Sequence, residues 1–176
     1  MPRFAANISM MFNEVPFLDR FALAAKAGFK AVEFLFPYDF PAAEIATRLK
    51  DNGLSQVLFN APPGDWTKGE RGMAALPGRQ GEFRDAIGKA LEYCAVLECP
   101  RLHVMAGLKP EGMAHDTMTA VYGANLAWAA EQCAKVGVKP IIEPINHRDI
   151  PGFFLNTTDQ AAAIIAAVGA DRLGMQ

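Results

Sequence analysis

A chain of 176 residues, 51% hydrophobic and 20% charged, suits one folded domain that can bury a sizeable core. Its net charge of -2 gives no electrostatic footprint for nucleic acid or an anionic membrane, so any anionic ligand must be held by local cations. Cys94, Cys99 and Cys133 are odd in number and lack CxxC spacing, which argues against a disulfide framework or a zinc knuckle. His103, His115 and His147 are scattered and form no local ligand pair. The N-terminal residues lack the long apolar segment of a secretory leader, and no run of about 18 apolar residues occurs, so a cytoplasmic protein is expected.

In chain order, Phe4 to Phe12 is predicted as a first strand. Pro16 opens a helix carried by Phe17, Phe21, Ala24 and Ala25 and closed by Gly28. Ala31 to Phe36 forms a second strand, and Pro41 opens a helix carried by Ile45, Ala46 and Leu49 up to Gly53. Gln56 to Asn60 forms a third strand. Ala61 to Gly78 is rich in Pro and Gly and reads as a long loop, either a functional cover or a disordered insertion. Phe83, Ile87, Ala90, Leu91 and Cys94 make a helix face, and Arg101 to Ala106 a fourth strand. Asp116 is expected to cap a helix running to Val136 and stopped by Gly137. A fifth strand starts at Lys139, Asn156-Thr-Thr-Asp caps a further helix, and Arg172 to Gln176 begins a sixth strand.

Alternating strands and helices imply a parallel sheet with right-handed crossovers. An open doubly wound sheet suits the length, but its nucleotide-binding form needs a glycine-rich turn after the first strand, and Phe12-Asn-Glu-Val-Pro16 has none. No Walker sequence occurs either. These absences favour a (β/α)8 barrel, which typically takes about 250 residues, without its last quarter. The expectation is one domain over residues 1–176 that lacks its C-terminal part.

Chemistry gathers at Lys139-Pro-Ile-Ile-Glu-Pro-Ile-Asn-His-Arg-Asp149. Glu143 is the first charge after an apolar run, and Pro144 cannot extend the ladder, so its carboxylate sits where a buried strand meets a loop. Beside Arg148 this suits proton transfer on an anionic substrate; a surface ion-pair cluster is the alternative.

Ile142 to Leu155 resembles the hydroxypyruvate isomerase family, with its closely similar 2-oxo-tetronate isomerases, among the xylose isomerase-like TIM barrels. Phe4 to Met10, Asn60 to Gly72 and His103 to Gly107 support the resemblance, which covers the whole chain. It implies an isomerase that interconverts hydroxypyruvate and tartronate semialdehyde through an enediolate, with Glu143 as one of two catalytic glutamates and as a ligand of a divalent metal, Mg or Mn. A 2-oxo-tetronate isomerase or a related sugar isomerase or epimerase is the alternative. Arg148, Arg71, His103 and Asn60 are the candidate substrate contacts, each with a purely structural alternative. The substrate class is a small hydroxy-keto acid, in carbohydrate and glyoxylate metabolism; nucleic acid and membrane are not expected partners. The family continues past the Leu-x-x-Gln pattern of residues 173–176 with an aspartate ligand and the second catalytic glutamate. Residues 1–176 alone are therefore expected to be inactive, and to self-associate through an open sheet edge or to serve as an assembly module.

Overall fold

A computed structural model describes residues 2–176. Six strands alternate with five α-helices: β1 (Ala6–Asn7), α1 (Arg20–Lys26), β2 (Ala31–Glu33), α2 (Ala42–Asp51), β3 (Ser55–Asn60), α3 (Gln80–Leu97), β4 (Arg101–His103), α4 (His115–Ala134), β5 (Lys139–Ile142), α5 (Thr158–Val168) and β6 (Gly174–Met175). The strands pair in chain order, β1 to β6, and every pair is parallel. Each helix from α1 to α4 also packs on the next one in sequence. A doubly wound sheet would reverse its order and divide its helices between two faces. Here they form one continuous outer layer, and the other face of the sheet is the concave lumen of a barrel wall.

The core fills the space between strands and helices. Phe21, Phe34 and Phe59 are buried there, and Phe17 packs edge-on against both Phe21 and Phe34 at 5.4 Å between centroids. Tyr122 and Leu126 of α4 are fully covered on the same side. Burying side chains of this size contributes about 1.5–3 kcal/mol each, enough to hold short strands in place.

One irregularity decides what faces the lumen. Val32 pairs with Gln56, but Glu33 pairs with Leu58, so Val57 is an extra residue in β3. This bulge shifts the alternation by one position, sending Phe59 into the helix layer and Asn60 into the lumen. The Gln56 amide donates to the Leu58 carbonyl at 2.6 Å and helps satisfy the backbone there.

Several boundaries differ from the sequence reading. β1 is only two residues long because the Asn7 carbonyl accepts from the amides of Met10 and Met11, which turns the chain away from the sheet. β2 ends at Glu33 and β4 at His103; beyond β4, Ala106 bridges antiparallel to Gly72 instead of continuing the parallel ladder. Asp116 does not cap α4. Ala114 occupies the cap position, and Asp116 lies in the first turn, where its charge complements the helix dipole. Thr157 does cap α5, accepting from the Gln160 amide.

The segment from Ala61 to Gly78 is ordered. Asp65 accepts from the amides of Thr67 and Lys68 and caps a short 3-10 turn, Trp66–Lys68. Glu70 accepts from the Asp65 amide at 2.6 Å, while Arg79 grips Glu70 and Glu82 together and holds both carboxyls below their usual range. Gly72 has φ +109°, and a Cβ there would lie 2.4 Å from the Met105 carbonyl oxygen, so only glycine lets this loop close against the β4–α4 segment. Buried Asn125 of α4 donates to the Ala74 carbonyl at 2.8 Å and pins the loop from the helix side. Asn125→Ala should cost about 2 kcal/mol, read as a lower urea midpoint with an unchanged m-value.

Candidate active site

In a parallel sheet, residues in register share a face, as do residues two apart along a strand. Asn7 pairs with Glu33, Asn60 with His103, and His103 with Ile141, two residues before Glu143. The carboxyl ends of the strands therefore present Asn7, Glu33, Asn60, His103 and Glu143 to one side, and they line a cavity of about 220 Å³ together with Gln176. Carboxyl ends are where barrel enzymes place their chemistry.

Glu143 follows directly on β5, with 37% of its side chain exposed. Burial, and then the neighbouring Glu33, push its carboxyl above the usual range. Among the described residues, neither Lys nor Arg lines this cavity, so no side-chain cation there offsets the two carboxylates. Glu33 accepts from the Asn7 amide nitrogen at 3.1 Å, which orients it. Glu33 is not among the sequence-derived candidates, although a carboxylate inside the otherwise apolar Ala31 to Phe36 run is the signal that marks it.

His103 is 2% exposed, and burial pushes its pKa down to about 4, so the ring is neutral at pH 7. Its Nδ1 lies 3.2 Å from Asn60 Oδ1, while Asn60 Nδ2 donates to Met105 Sδ at 3.8 Å. Its Nε2 lies 4.0 Å from Glu143 Oε2, beyond hydrogen-bond reach, and has no partner. Leaving a buried polar atom unpaired costs about 1–3 kcal/mol, a cost that persists most readily where a ligand supplies the partner.

The two expected arginine contacts lie elsewhere. Arg71 stacks its guanidinium 3.8 Å above the Trp66 ring and donates to the Trp66 and Glu70 carbonyls, and Trp66 in turn packs on Phe36 at 5.0 Å. Arg148 is exposed on the β5–α5 loop and pairs with neither Glu143 nor Asp149; Asp149 instead accepts from Asn146 at 2.6 Å. His147 reaches the Phe153 carbonyl at 3.2 Å and braces that loop. Both arginines occupy rim loops and neither lines the cavity.

As for a metal, two uncompensated carboxylates and a free imidazole nitrogen are donor chemistry that suits a divalent cation. Among the described residues, however, no group of three His, Cys, Asp or Glu side chains converges closely enough to hold one, so these residues do not complete a coordination shell. Among the same residues, no helix is long and apolar enough to cross a membrane.

Residues 21–176 match the family model described as xylose isomerase-like TIM barrel. The chain is 59% identical over its full length to a 2-oxo-tetronate isomerase of Cupriavidus necator and 44% identical to the hydroxypyruvate isomerase of Escherichia coli, spanning 68% of each. A crystal structure named AP endonuclease, family 2, from Brucella melitensis superposes with a TM-score of 0.97 at 50% identity, over all of this chain and 68% of that one. With its in-order parallel wall and these relatives, the chain belongs to the xylose isomerase-like TIM barrels, in the group of 2-oxo-tetronate and hydroxypyruvate isomerases.

Proposed function

We propose that this chain carries the first acid/base of an isomerase that interconverts hydroxypyruvate and tartronate semialdehyde. The observation that carries the reading is Glu143, a half-buried carboxyl with a raised pKa at the mouth of β5, in a chain whose relatives are named 2-oxo-tetronate isomerase and hydroxypyruvate isomerase. As carboxylate, Glu143 removes a proton from the hydroxyl-bearing carbon beside the substrate carbonyl. The C–H electrons fold into an enediolate, the hydroxyl proton passes to the former carbonyl oxygen, and a proton is returned to the neighbouring carbon, so that the old carbonyl becomes the hydroxyl and the old hydroxyl the aldehyde. A base whose pKa is raised toward the working pH abstracts a carbon-bound proton more readily than an ordinary carboxylate.

Two carboxylates facing an anionic substrate repel it, which is the physical reason to keep a divalent cation in the proposal, with Glu143 as one ligand. When bound, it would stabilise negative charge on the enediolate oxygens. Arg148 and Arg71, on the rim loops, are the cations available to attract the substrate carboxylate, and His103, backed by Asn60, lines the proposed substrate pocket. The reading places the protein in the cytoplasm, in carbohydrate and glyoxylate metabolism. A nuclease reading, suggested by the name of the Brucella structure, is disfavoured by a net charge of -2, which gives no general attraction for a phosphodiester backbone.

The test is an isomerase assay with hydroxypyruvate and with 2-oxo-tetronates. It is run on residues 1–176 and on the same residues continued by the remaining third of the Cupriavidus necator relative. Residues 1–176 alone should show no turnover, because six strands wall only part of a site that eight enclose in the closed barrel. The completed barrel should turn over at least one substrate, and inactivity on both would sink the reading.

A further inference from the structure

We infer that Nε2 of His103 accepts a hydrogen bond from a substrate hydroxyl, and that Asn60 is the positioning residue that holds the imidazole in the tautomer able to do so. The inference rests on the isomerase reading of the cavity and adds to it the group that is recognised.

A carboxamide oxygen can only accept a hydrogen bond. With Asn60 Oδ1 at 3.2 Å and the amide nitrogen directed at Met105 Sδ, the Nδ1 of His103 must carry the ring proton. A neutral imidazole has one N–H, so Nε2 presents a lone pair. That lone pair belongs to a side chain 3% exposed, it has no partner, and the residue lines the same cavity as Glu143. Asn60 is itself 5% exposed, and both ends of its amide are already engaged, so it acts through His103 rather than on a ligand.

An acceptor of this kind selects among the oxygens of a hydroxy-keto acid. The keto oxygen and the carboxylate have no proton to give; the hydroxyl does. Because Nε2 lies 4.0 Å from Glu143 Oε2, a hydroxyl seated at Nε2 brings its carbon, the one that must lose a proton, close to that carboxyl. The consequence is specificity for a hydroxyl on the carbon next to the carbonyl, and rejection of the deoxy analogue.

The experiment uses the 176-residue chain with 15N-labelled histidine and needs no catalysis. Long-range proton–nitrogen spectra distinguish protonated from unprotonated ring nitrogens. In the free chain Nδ1 of His103 should be protonated and Nε2 unprotonated, and Asn60→Leu should mix or invert the tautomers. Hydroxypyruvate should shift Nε2 in the direction of an accepted hydrogen bond. It should also bind about tenfold more tightly than pyruvate, which lacks only the hydroxyl, and Asn60→Leu should erase most of that preference. A protonated Nε2 in the free wild-type chain overturns the inference without any variant having to fold. If both keto acids perturb the cavity equally and leave Nε2 unmoved, the hydroxyl contact is overturned while the isomerase reading survives. If neither perturbs any cavity residue, the hydroxyl contact is overturned, while the isomerase reading stands or falls on turnover by the completed barrel.

Discussion

Replacing Glu143 by Gln should lower kcat of the completed barrel by about 10³-fold, with a much smaller change in KM. Gln keeps the volume and a hydrogen-bonding head but cannot take a proton from carbon. The same variant should be no less stable than wild type at neutral pH. The native carboxyl binds its proton more tightly than the unfolded chain does, because burial and Glu33 oppose its charge. Native protein therefore holds more protons than unfolded protein just above the ordinary carboxylate range, and wild-type stability falls as pH rises through that window. The Glu143→Gln variant lacks this dependence, because its amide does not titrate. With 37% of the Glu143 side chain in solvent, the gain at pH 7 should be small. Loss of activity without loss of stability separates a catalytic carboxylate from a structural ion pair, since breaking an ion pair would destabilise the fold.

The second large effect is acid sensitivity from His103. Its native pKa is pushed down to about 4 by burial, against about 6.5 in an unfolded chain. Between these values the unfolded chain binds the extra proton, so stability falls as pH drops from about 6.5 through about 4. The full difference corresponds to about 3 kcal/mol. Urea unfolding at pH 7 and at pH 4 should show this loss in wild type and a smaller one in His103→Gln, which has nothing to protonate there. The ion-paired carboxyls of Glu70 and Glu82, held low by Arg79, also lose stabilisation in acid, but equally in both proteins. Equal pH dependence in the two would mean that His103 is solvated.

The strand–helix alternation and the position of Glu143 were legible because each rests on a local signal: apolar runs bounded by Gly and Pro, and a charge at the end of one of them. The face of His103 was not legible. A strand of a barrel wall is buried on both sides, so hydrophobic alternation does not separate lumen from helix layer. Asn60 shares the lumen face with Glu33 only because of the bulge at Val57, and nothing in Ser55-Gln-Val-Leu-Phe-Asn60 announces an extra residue. Glu33 was hidden for a related reason: its partner across the cavity, Glu143, is distant in sequence and follows β5. Arg148 stands close to Glu143 in sequence and Arg71 lies in a long loop that could cover a substrate, but local contacts set their positions. Trp66 captures Arg71, and Asn146 engages Asp149 and leaves Arg148 in solvent.

The most direct test of the central claim is deuterium incorporation into hydroxypyruvate in D2O, followed by proton NMR on the completed barrel. It reads proton abstraction from carbon, the step assigned to Glu143, separately from product formation. Exchange at the hydroxymethyl carbon well above the background rate, and its loss in Glu143→Gln, is the predicted result. Exchange that persists undiminished in Glu143→Gln would contradict the account, because the base would then be another group.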